Sequence, residues 1–122
     1  MKTILQIEDN LANKLLIERI LEPHGYRLLH AADGETGVAM AIEEKPDLVL
    51  IDMGLPDIDG QTVVTLLQQI PDLKQTSIVV VTAWPADVAE KMARRYGCKG
   101  CITKPIDVKQ FPTQIAQFLA EA

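Results

Sequence analysis

The hydrophobic residues of this chain fall into five short blocks, with helix-period patterns between them. The blocks are Thr3–Ile7, Tyr26–Ala31, Leu48–Ile51, Ile78–Val81 and Gly100–Thr103. The third and fourth are unbroken runs of Val, Ile and Leu, which is typical of strands covered on both faces of a parallel sheet. We therefore predict five strands.

The segments between the blocks carry apolar residues at the spacing of a helix. Val63, Leu66, Leu67 and Ile70 stand at i, i+3, i+4 and i+7, which predicts one apolar stripe of a helix. Four more helices are predicted at Leu11–Leu21, from Val38 through Ala41 and Ile42, over Ala86–Tyr96 with Gly97 as its cap, and around Phe111, Ile115, Phe118 and Leu119.

Strands and helices thus alternate five times along the chain, and this order predicts an α/β fold. We expect a flavodoxin-like three-layer sandwich with a five-stranded parallel sheet of order 2-1-3-4-5 and five helices. In sheets of this kind the functional site lies at the carboxyl ends of the strands, near the switch point between strands 1 and 3.

Composition narrows the class of protein. The 122 residues fit one domain spanning residues 1–122, and 48% hydrophobic with 24% charged residues excludes a disordered chain. The net charge of −5 argues against nucleic acid as a partner. No apolar run is long enough to span a membrane and no secretory signal opens the chain, so we expect a cytoplasmic protein with no membrane partner.

Chemically active residues stand where four of the predicted strands end. Glu8 and Asp9 follow strand 1, Asp52 follows strand 3, Thr82 follows strand 4 and Lys104 follows strand 5. Each alone has a simpler explanation, since Asp9 or Asn10 could cap helix 1 and Lys104 could be a surface lysine. Their joint occurrence at four strand ends favours a common site.

Three carboxylates and one ammonium in one pocket predict a cation site. Clustered carboxylates repel one another, and an oxygen-only ligand set suits Mg²⁺. With the cation bound, the pocket can accept a phosphoryl group, with Lys104 as a further positive charge and Thr82 as a hydroxyl donor. A carboxylate can also act as nucleophile toward phosphorus.

In these residues the chain resembles the receiver domain of bacterial two-component response regulators. The resemblance is carried by Glu8-Asp9-Asn10, the segment from Asp52 to Gly60, Thr82-Ala83 and Lys104-Pro105. It covers Lys2 to about Ala120, and no output domain follows, so we expect a stand-alone receiver.

The resemblance implies a role for each of these positions. Asp52 would accept a phosphoryl group from a histidine kinase or phosphotransfer protein, and the chain would then change its binding to a downstream protein. Lys104 and Thr82 would contact the phosphoryl group, and the Lys104–Pro105 peptide would be cis. The implied Mg²⁺ ligands are Glu8, Asp9, Asp52 and the carbonyl of Gly54.

One position departs from the family pattern. Three residues before the lysine, receivers commonly carry Tyr or Phe, and this chain carries Cys101. A cysteine cannot repeat the inward swing of an aromatic ring. We therefore expect the switch to involve Thr82, Ala83 and Trp84, with Cys101 in place of the aromatic residue.

Two further features receive interpretations of their own. Cys98 and Cys101 form a C-x-x-C that does not open a helix and lacks nearby ligands, since His24 and His30 lie elsewhere, which argues against redox or zinc chemistry. A basic run follows on helix 4, strand 5 and the start of helix 5. It comprises Lys91, Arg94, Arg95, Lys99, Lys104 and Lys109, and Arg94, Arg95 and Lys99 are the predicted partner surface.

Other function classes are weighed against the phosphorylatable switch. A haloacid-dehalogenase-like phosphatase needs a second Asp two positions after the nucleophile, where this chain has Gly54. A flavodoxin-type FMN carrier needs a first loop of hydrogen-bond donors, and Glu8-Asp9-Asn10 would repel phosphate in the absence of a metal ion. A receiver that has lost phosphorylation is a further alternative, although the required residues are present. We therefore expect no enzyme activity beyond self-catalysed phosphotransfer and autodephosphorylation.

Overall fold

The computed structural model describes residues 1–120, so the last two residues of the expected 1–122 domain lie outside the described part. It contains one sheet flanked by helices. The strands are β1 Thr3–Ile7, β2 Arg27–Ala31, β3 Leu48–Asp52, β4 Ser77–Thr82 and β5 Gly100–Thr103. The helices are α1 Leu11–Leu21, α2 Gly34–Glu44, α3 Gly60–Gln68, α4 Ala86–Arg95 and α5 Phe111–Ala120.

All neighbouring strands pair in parallel, and their order is β2-β1-β3-β4-β5. The predicted flavodoxin-like architecture is confirmed. The register brings the strand ends level, since Ile7 pairs with Ile51, Asp52 with Val81, and Thr82 with Thr103. The residues that follow these strands therefore meet at one edge of the sheet.

A separate apolar core lies on each face of the sheet. On one face α2, α3 and α4 contribute Ala41, Val63, Val64, Leu67, Met92 and Ala93. On the other face α1 and α5 contribute Ile17, Ile20, Leu21, Phe111 and Ile115. This double coverage explains the unbroken apolar runs, because every side chain of β3 is buried whichever way it points.

Most element boundaries are as predicted, and the differences are small. Tyr26 lies outside β2, and its ring stacks on His24. Ile70 of the predicted stripe lies beyond the end of α3, and α4 ends at Arg95 rather than Tyr96. Gly97 follows α4 with a φ of 76°, so a residue without a side chain closes this helix as expected.

Two apolar residues of the predicted helical stripes do not enter the core. An amphipathic stripe is expected to face the core, yet Leu66 of α3 and Ile42 of α2 are exposed. Val64, which the stripe omitted, is buried in their place. Within residues 1–120, no helix is long and apolar enough to cross a membrane.

Candidate functional site

A cleft of about 370 Å³ opens at the carboxyl edge of the sheet. It lies where β1 and β3 meet, and the loops after β4 and β5 close its other side. All the predicted chemical residues border it. Its lining comprises Glu8, Asp9, Asn10, Asn13, Asp52, Met53, Gly54, Thr82, Ala83, Trp84 and Lys104.

Glu8 is held at the end of β1 by two contacts with β2. Its backbone N–H donates to the carbonyl of Ala31 at 2.9 Å. Its own carbonyl accepts from Nε2 of His30 at 2.7 Å. Glu8 is only 3% exposed, so it forms part of the buried floor of the cleft. His30 therefore positions the backbone from which this carboxylate projects.

The start of α1 places the next two polar residues. Asn10 caps the helix by accepting from the N–H of Asn13 at 3.0 Å, as the sequence suggested. The N–H of Asn10 in turn donates to Oε2 of Glu8 at 3.2 Å. Asp9 lies between them and is exposed at the rim of the cleft.

The three carboxylates form a tight cluster. One oxygen each of Glu8, Asp9 and Asp52 can be chosen so that all lie within 4.8 Å of one another. Burial, a hydrogen bond to Asp52 and its charge raise the pKa of Glu8 to about 7. Burial alone would raise the pKa of Asp52, but hydrogen bonds from Glu8 and Lys104 outweigh it and lower this pKa.

Lys104 supplies the positive charge of the cleft. Its Nζ lies 3.1 Å from Oδ1 of Asp52 and 3.6 Å from Oε1 of Glu8. Its backbone N–H donates to the carbonyl of Thr82 at 2.7 Å, which ties the end of β5 to the end of β4. The Lys104–Pro105 peptide is cis, as expected. One ammonium balances only one of the three carboxylates.

Thr82 connects the cleft to the following loop. It is buried, and its Oγ1 accepts from the backbone N–H of Trp84 at 3.0 Å. The hydroxyl proton of Thr82 is not used in this bond, so it is available to a ligand in the cleft. The Trp84 side chain is 37% exposed, and Trp84 lines the cleft.

The loop from Met53 to Asp59 holds the opposite wall. Asp59 caps α3 by accepting from the N–H of Thr62 at 2.8 Å. Asp57 reaches across to α2, where its two oxygens accept from the N–H groups of Gly34 and Glu35 at 2.8 and 2.9 Å. These backbone bonds lower the pKa of Asp57. The C-terminal half of the loop that carries Gly54 is thereby tied to α2 and α3.

The cysteine pair lies away from the cleft. Cys98 and Cys101 are free thiols that pack against the core on the α4 side. Burial raises the pKa of Cys98 to about 11 and also raises that of Cys101. Thiolates are therefore disfavoured, which agrees with the argument against redox chemistry.

The basic residues predicted to form one face do not all lie together. Lys104 points into the cleft, where its position after strand 5 predicted it, and it is therefore not part of the surface run of basic residues. Arg94 borders a separate cleft of about 210 Å³ beside Lys99 and Cys101, which Arg95 does not line. Successive helix residues lie about 100° apart, which accounts for this separation. The partner surface of Arg94, Arg95 and Lys99 stays a prediction.

With this geometry in place, comparison with known proteins decides the family. The family model of the response regulator receiver domain matches residues 4–116. The chain belongs to this family. Receiver domains are phosphorylatable switches of two-component systems, and they interact with histidine kinases and downstream proteins.

Individual relatives agree. The polar-differentiation response regulator DivK of Brucella anthropi is 32% identical, over 99% of this chain and 98% of its own length. A CheY-like receiver domain protein from Methanospirillum hungatei superposes with a TM-score of 0.88 at 26% identity, covering 99% and 95% of the two chains. The receiver domain of the sensor histidine kinase PA1611 from Pseudomonas aeruginosa gives 0.87 at 25% identity, covers 98% of each chain, and has a magnesium ion coordinated in its active-site cleft.

Sequence reasoning missed three residues that shape the site. The sequence pattern gives His30 no role, yet its Nε2 donates to the Glu8 carbonyl, and no spacing in the sequence indicates this contact. Asn13 lines the cleft one turn into α1. Asp57 was read only as part of a motif, and no local pattern shows that it reaches α2.

Proposed function

We propose that Asp52 is the phosphoacceptor of this receiver and takes its phosphoryl group from a phosphohistidine of a histidine kinase or phosphotransfer protein. One observation carries the proposal. Asp52 lies among two further carboxylates within 4.8 Å and 3.1 Å from the ammonium of Lys104. This arrangement pairs a nucleophilic carboxylate with the charges that a transferring phosphoryl group needs.

The donor set fits a hard divalent cation, and we propose Mg²⁺. Glu8, Asp9 and Asp52 offer only oxygens, and burial together with the neighbouring Asp52 raises the pKa of Glu8 to about 7. The carbonyl of Gly54 is the proposed fourth protein ligand. When bound, the cation would neutralise charge on the phosphoryl oxygens and hold them in place.

The residues of the chain divide the remaining work. A carboxylate oxygen of Asp52 forms the new P–O bond while the P–N bond of the phosphohistidine breaks, and the imidazole keeps the bonding pair. Lys104 holds the carboxylate before transfer and can then contact the phosphoryl oxygens. The free hydroxyl proton of Thr82 can be donated to a further oxygen.

We infer that the output begins at Thr82. If its hydroxyl moves toward a phosphoryl oxygen, the 3.0 Å bond from the Trp84 N–H carries the loop with it. Ala83 and Trp84 then shift, and Pro85 stiffens the connection to α4. Affinity for a downstream protein would change through the altered α4 surface. The chain would act on its own carboxylate and on no outside metabolite, since Gly54 offers no second acid.

Phosphodonor labelling tests the assignment of Asp52. Acetyl phosphate should add one phosphoryl group to the full chain in the presence of Mg²⁺, as measured by intact mass. Asp52→Asn should remove the label. Asp72→Asn is the matched control, since Asp72 is exposed, pairs with Lys45 and lies outside the cleft lining, and it should label like the wild type. Equal labelling of Asp52→Asn and wild type would overturn the proposal.

A further inference from the structure

A second cleft lies between α2 and α3, on the helices rather than at the strand ends. Its volume is about 460 Å³. Val38, Ala39 and Ile42 line it from α2, Leu66 lines it from α3, and Ile58 belongs to the loop before α3. Ile42 is 49% exposed and Leu66 is 39% exposed. These are the two residues of the predicted helical stripes that are exposed instead of buried in the core.

The α2 wall borders the stripe that faces the core, and Val38 packs partly against that core. Val38 and Ile42 are one turn apart, whereas Gly37 and Ala41 on the next stripe are buried. The stretch from Glu35 to Ile42 is about 10 Å long at the rise of a helix. It provides an open apolar furrow about two turns long between two neighbouring helices.

Acidic residues predominate around this furrow. Residues 33–44 and 57–69 contain six carboxylates and no Lys or Arg. Glu35 and Asp57 line the furrow itself. Of the other four, Glu44 is paired with Arg27 at 2.6 Å, and Asp33, Glu43 and Asp59 stand around the same two helices. The furrow thus combines an apolar floor with a negative field.

The walls of the furrow are already held in place by hydrogen bonds within the protein. Asp57 fixes its upper end by accepting from the N–H groups of Gly34 and Glu35, and Asp33 caps α2 by accepting from the N–H of Thr36 at 2.7 Å. An occupant therefore does not have to order these walls, which lowers the cost of binding.

We propose that this furrow docks an amphipathic helix of a partner protein, whose apolar face is flanked by Lys or Arg. An apolar furrow between helices accepts a third helix through residues spaced i, i+3, i+4 and i+7. The acidic rim selects a basic-flanked helix and repels an acidic one. This site is distinct from the phosphorylation cleft and goes beyond the function proposed above.

Two designed peptides test the proposal on the full chain. Both are helical 14-residue peptides with Leu at i, i+3, i+4 and i+7, and they differ only in Lys or Glu flanks. A third peptide has the Lys composition with the Leu residues scattered around the helix. Titration into ¹⁵N-labelled protein should shift amides around Val38, Ile42 and Leu66 with the Lys-flanked peptide. The other two should bind at least about tenfold more weakly.

Substitutions locate the contact. Ile42→Gln and Leu66→Gln should each weaken the Lys-flanked peptide at least about fivefold. Val88→Gln on α4 is the matched control, since Val88 is 46% exposed and lies outside the furrow, and it should bind as the wild type. Thermal melting confirms that each variant is folded.

Several results would overturn the proposal. Shifts on α1 or α4 instead of the furrow, equal affinity for the Lys-flanked and scattered peptides, or no binding at millimolar peptide would each do so. Sedimentation of the protein alone tests whether a second copy occupies the furrow. Self-association that Ile42→Gln abolishes would assign the furrow to a dimer and not to a partner helix.

Discussion

At the scale of the residue, the site is defined by charge that the chain does not balance. Glu8 is buried beside Asp52, and Lys104 contacts both carboxylates while Asp9 stands at the rim. A proton on Glu8 relieves the crowding, and a divalent cation can replace that proton. Proton and cation therefore compete for the same cluster.

The first prediction concerns pH. The folded-state pKa of Glu8 is about 7, above the ordinary 4.5, so the metal-free protein gains stability from this group below pH 4.5 and loses it as pH rises through 7. Mg²⁺ must displace the proton. The rise in Tm caused by Mg²⁺ should therefore be small at about pH 5.5 and grow to a plateau by about pH 8.

The variant Glu8→Gln should flatten this pH profile and reduce the Tm gain, because the amide does not titrate and binds the cation poorly. Glu18→Gln is the control, since Glu18 pairs only with Lys14 on the surface of α1. A profile that Glu8→Gln leaves unchanged would contradict the role given to Glu8.

The residue types at the strand ends could be predicted from sequence, but their supports could not. Glu8, Asp52 and Lys104 were found because parallel strands bring their carboxyl ends together. The bond from His30 to the Glu8 carbonyl depends on the direction of one side chain on β2. Neither spacing nor composition determines that direction.

At the scale of the element, the loop after β4 links the cleft to α4. Thr82 is buried at the end of β4, and its hydroxyl oxygen holds the backbone of Trp84. Cys101 packs against the core from β5 and cannot act as a swinging ring. We propose that this loop carries a change in the cleft to the surface.

We therefore predict that the fluorescence of Trp84, the sole tryptophan, reports activation. Beryllofluoride with Mg²⁺, as a phosphoryl mimic, should change its emission. Thr82→Ala should reduce that change to less than about half, because it removes both the contact to the mimic and the bond from the Trp84 N–H.

Thr76→Ala provides the comparison, since the Thr76 hydroxyl donates to the Pro46 carbonyl at the other end of the sheet. This variant should respond like the wild type. The protein can also be treated with acetyl phosphate and its phosphorylation verified by mass spectrometry. Constant Trp84 emission in that phosphorylated protein would contradict a role for this loop in the output.

The helices also show where periodicity misleads. The i, i+3, i+4 pattern located α3 correctly, but it placed Leu66 with the core residues and omitted Val64. A helix rich in apolar residues has more than one apolar stripe, and the rotation of the helix about its own axis decides which stripe is buried. Packing against the neighbouring helices sets that rotation, so the sequence of the segment alone does not predict it.

At the scale of the whole molecule, stability comes from two cores divided by one sheet. Phe111 is fully buried at the start of α5 and packs in the core that α1 shares. The smaller number of helices on this face makes each large side chain important to it. The fold class was predictable because strands that are buried on both faces carry unbroken apolar runs, as β3 and β4 do.

Phe111→Ala should accordingly cost about 3–5 kcal/mol of unfolding free energy, a large share of the ~5–15 kcal/mol of a typical domain. Urea denaturation measures the change. Val108→Ala, three residues earlier at a position 56% exposed, should stay within about 0.5 kcal/mol of the wild type. Similar midpoints for the two variants would contradict the assignment of Phe111 to the core.

The carboxylates and the ammonium of the cleft all lie at or just after strand ends, and none lies on the outer side of a helix. The reactive groups therefore occupy parts of the sequence different from the helix surfaces that we propose for recognition. A gene can accumulate changes on the exteriors of α2, α3 and α4 without altering the acidic cluster. Paralogues with this fold can therefore bind different partners while they keep the same phosphoryl chemistry. Cross-talk between their pathways would then depend on how far their helix surfaces differ.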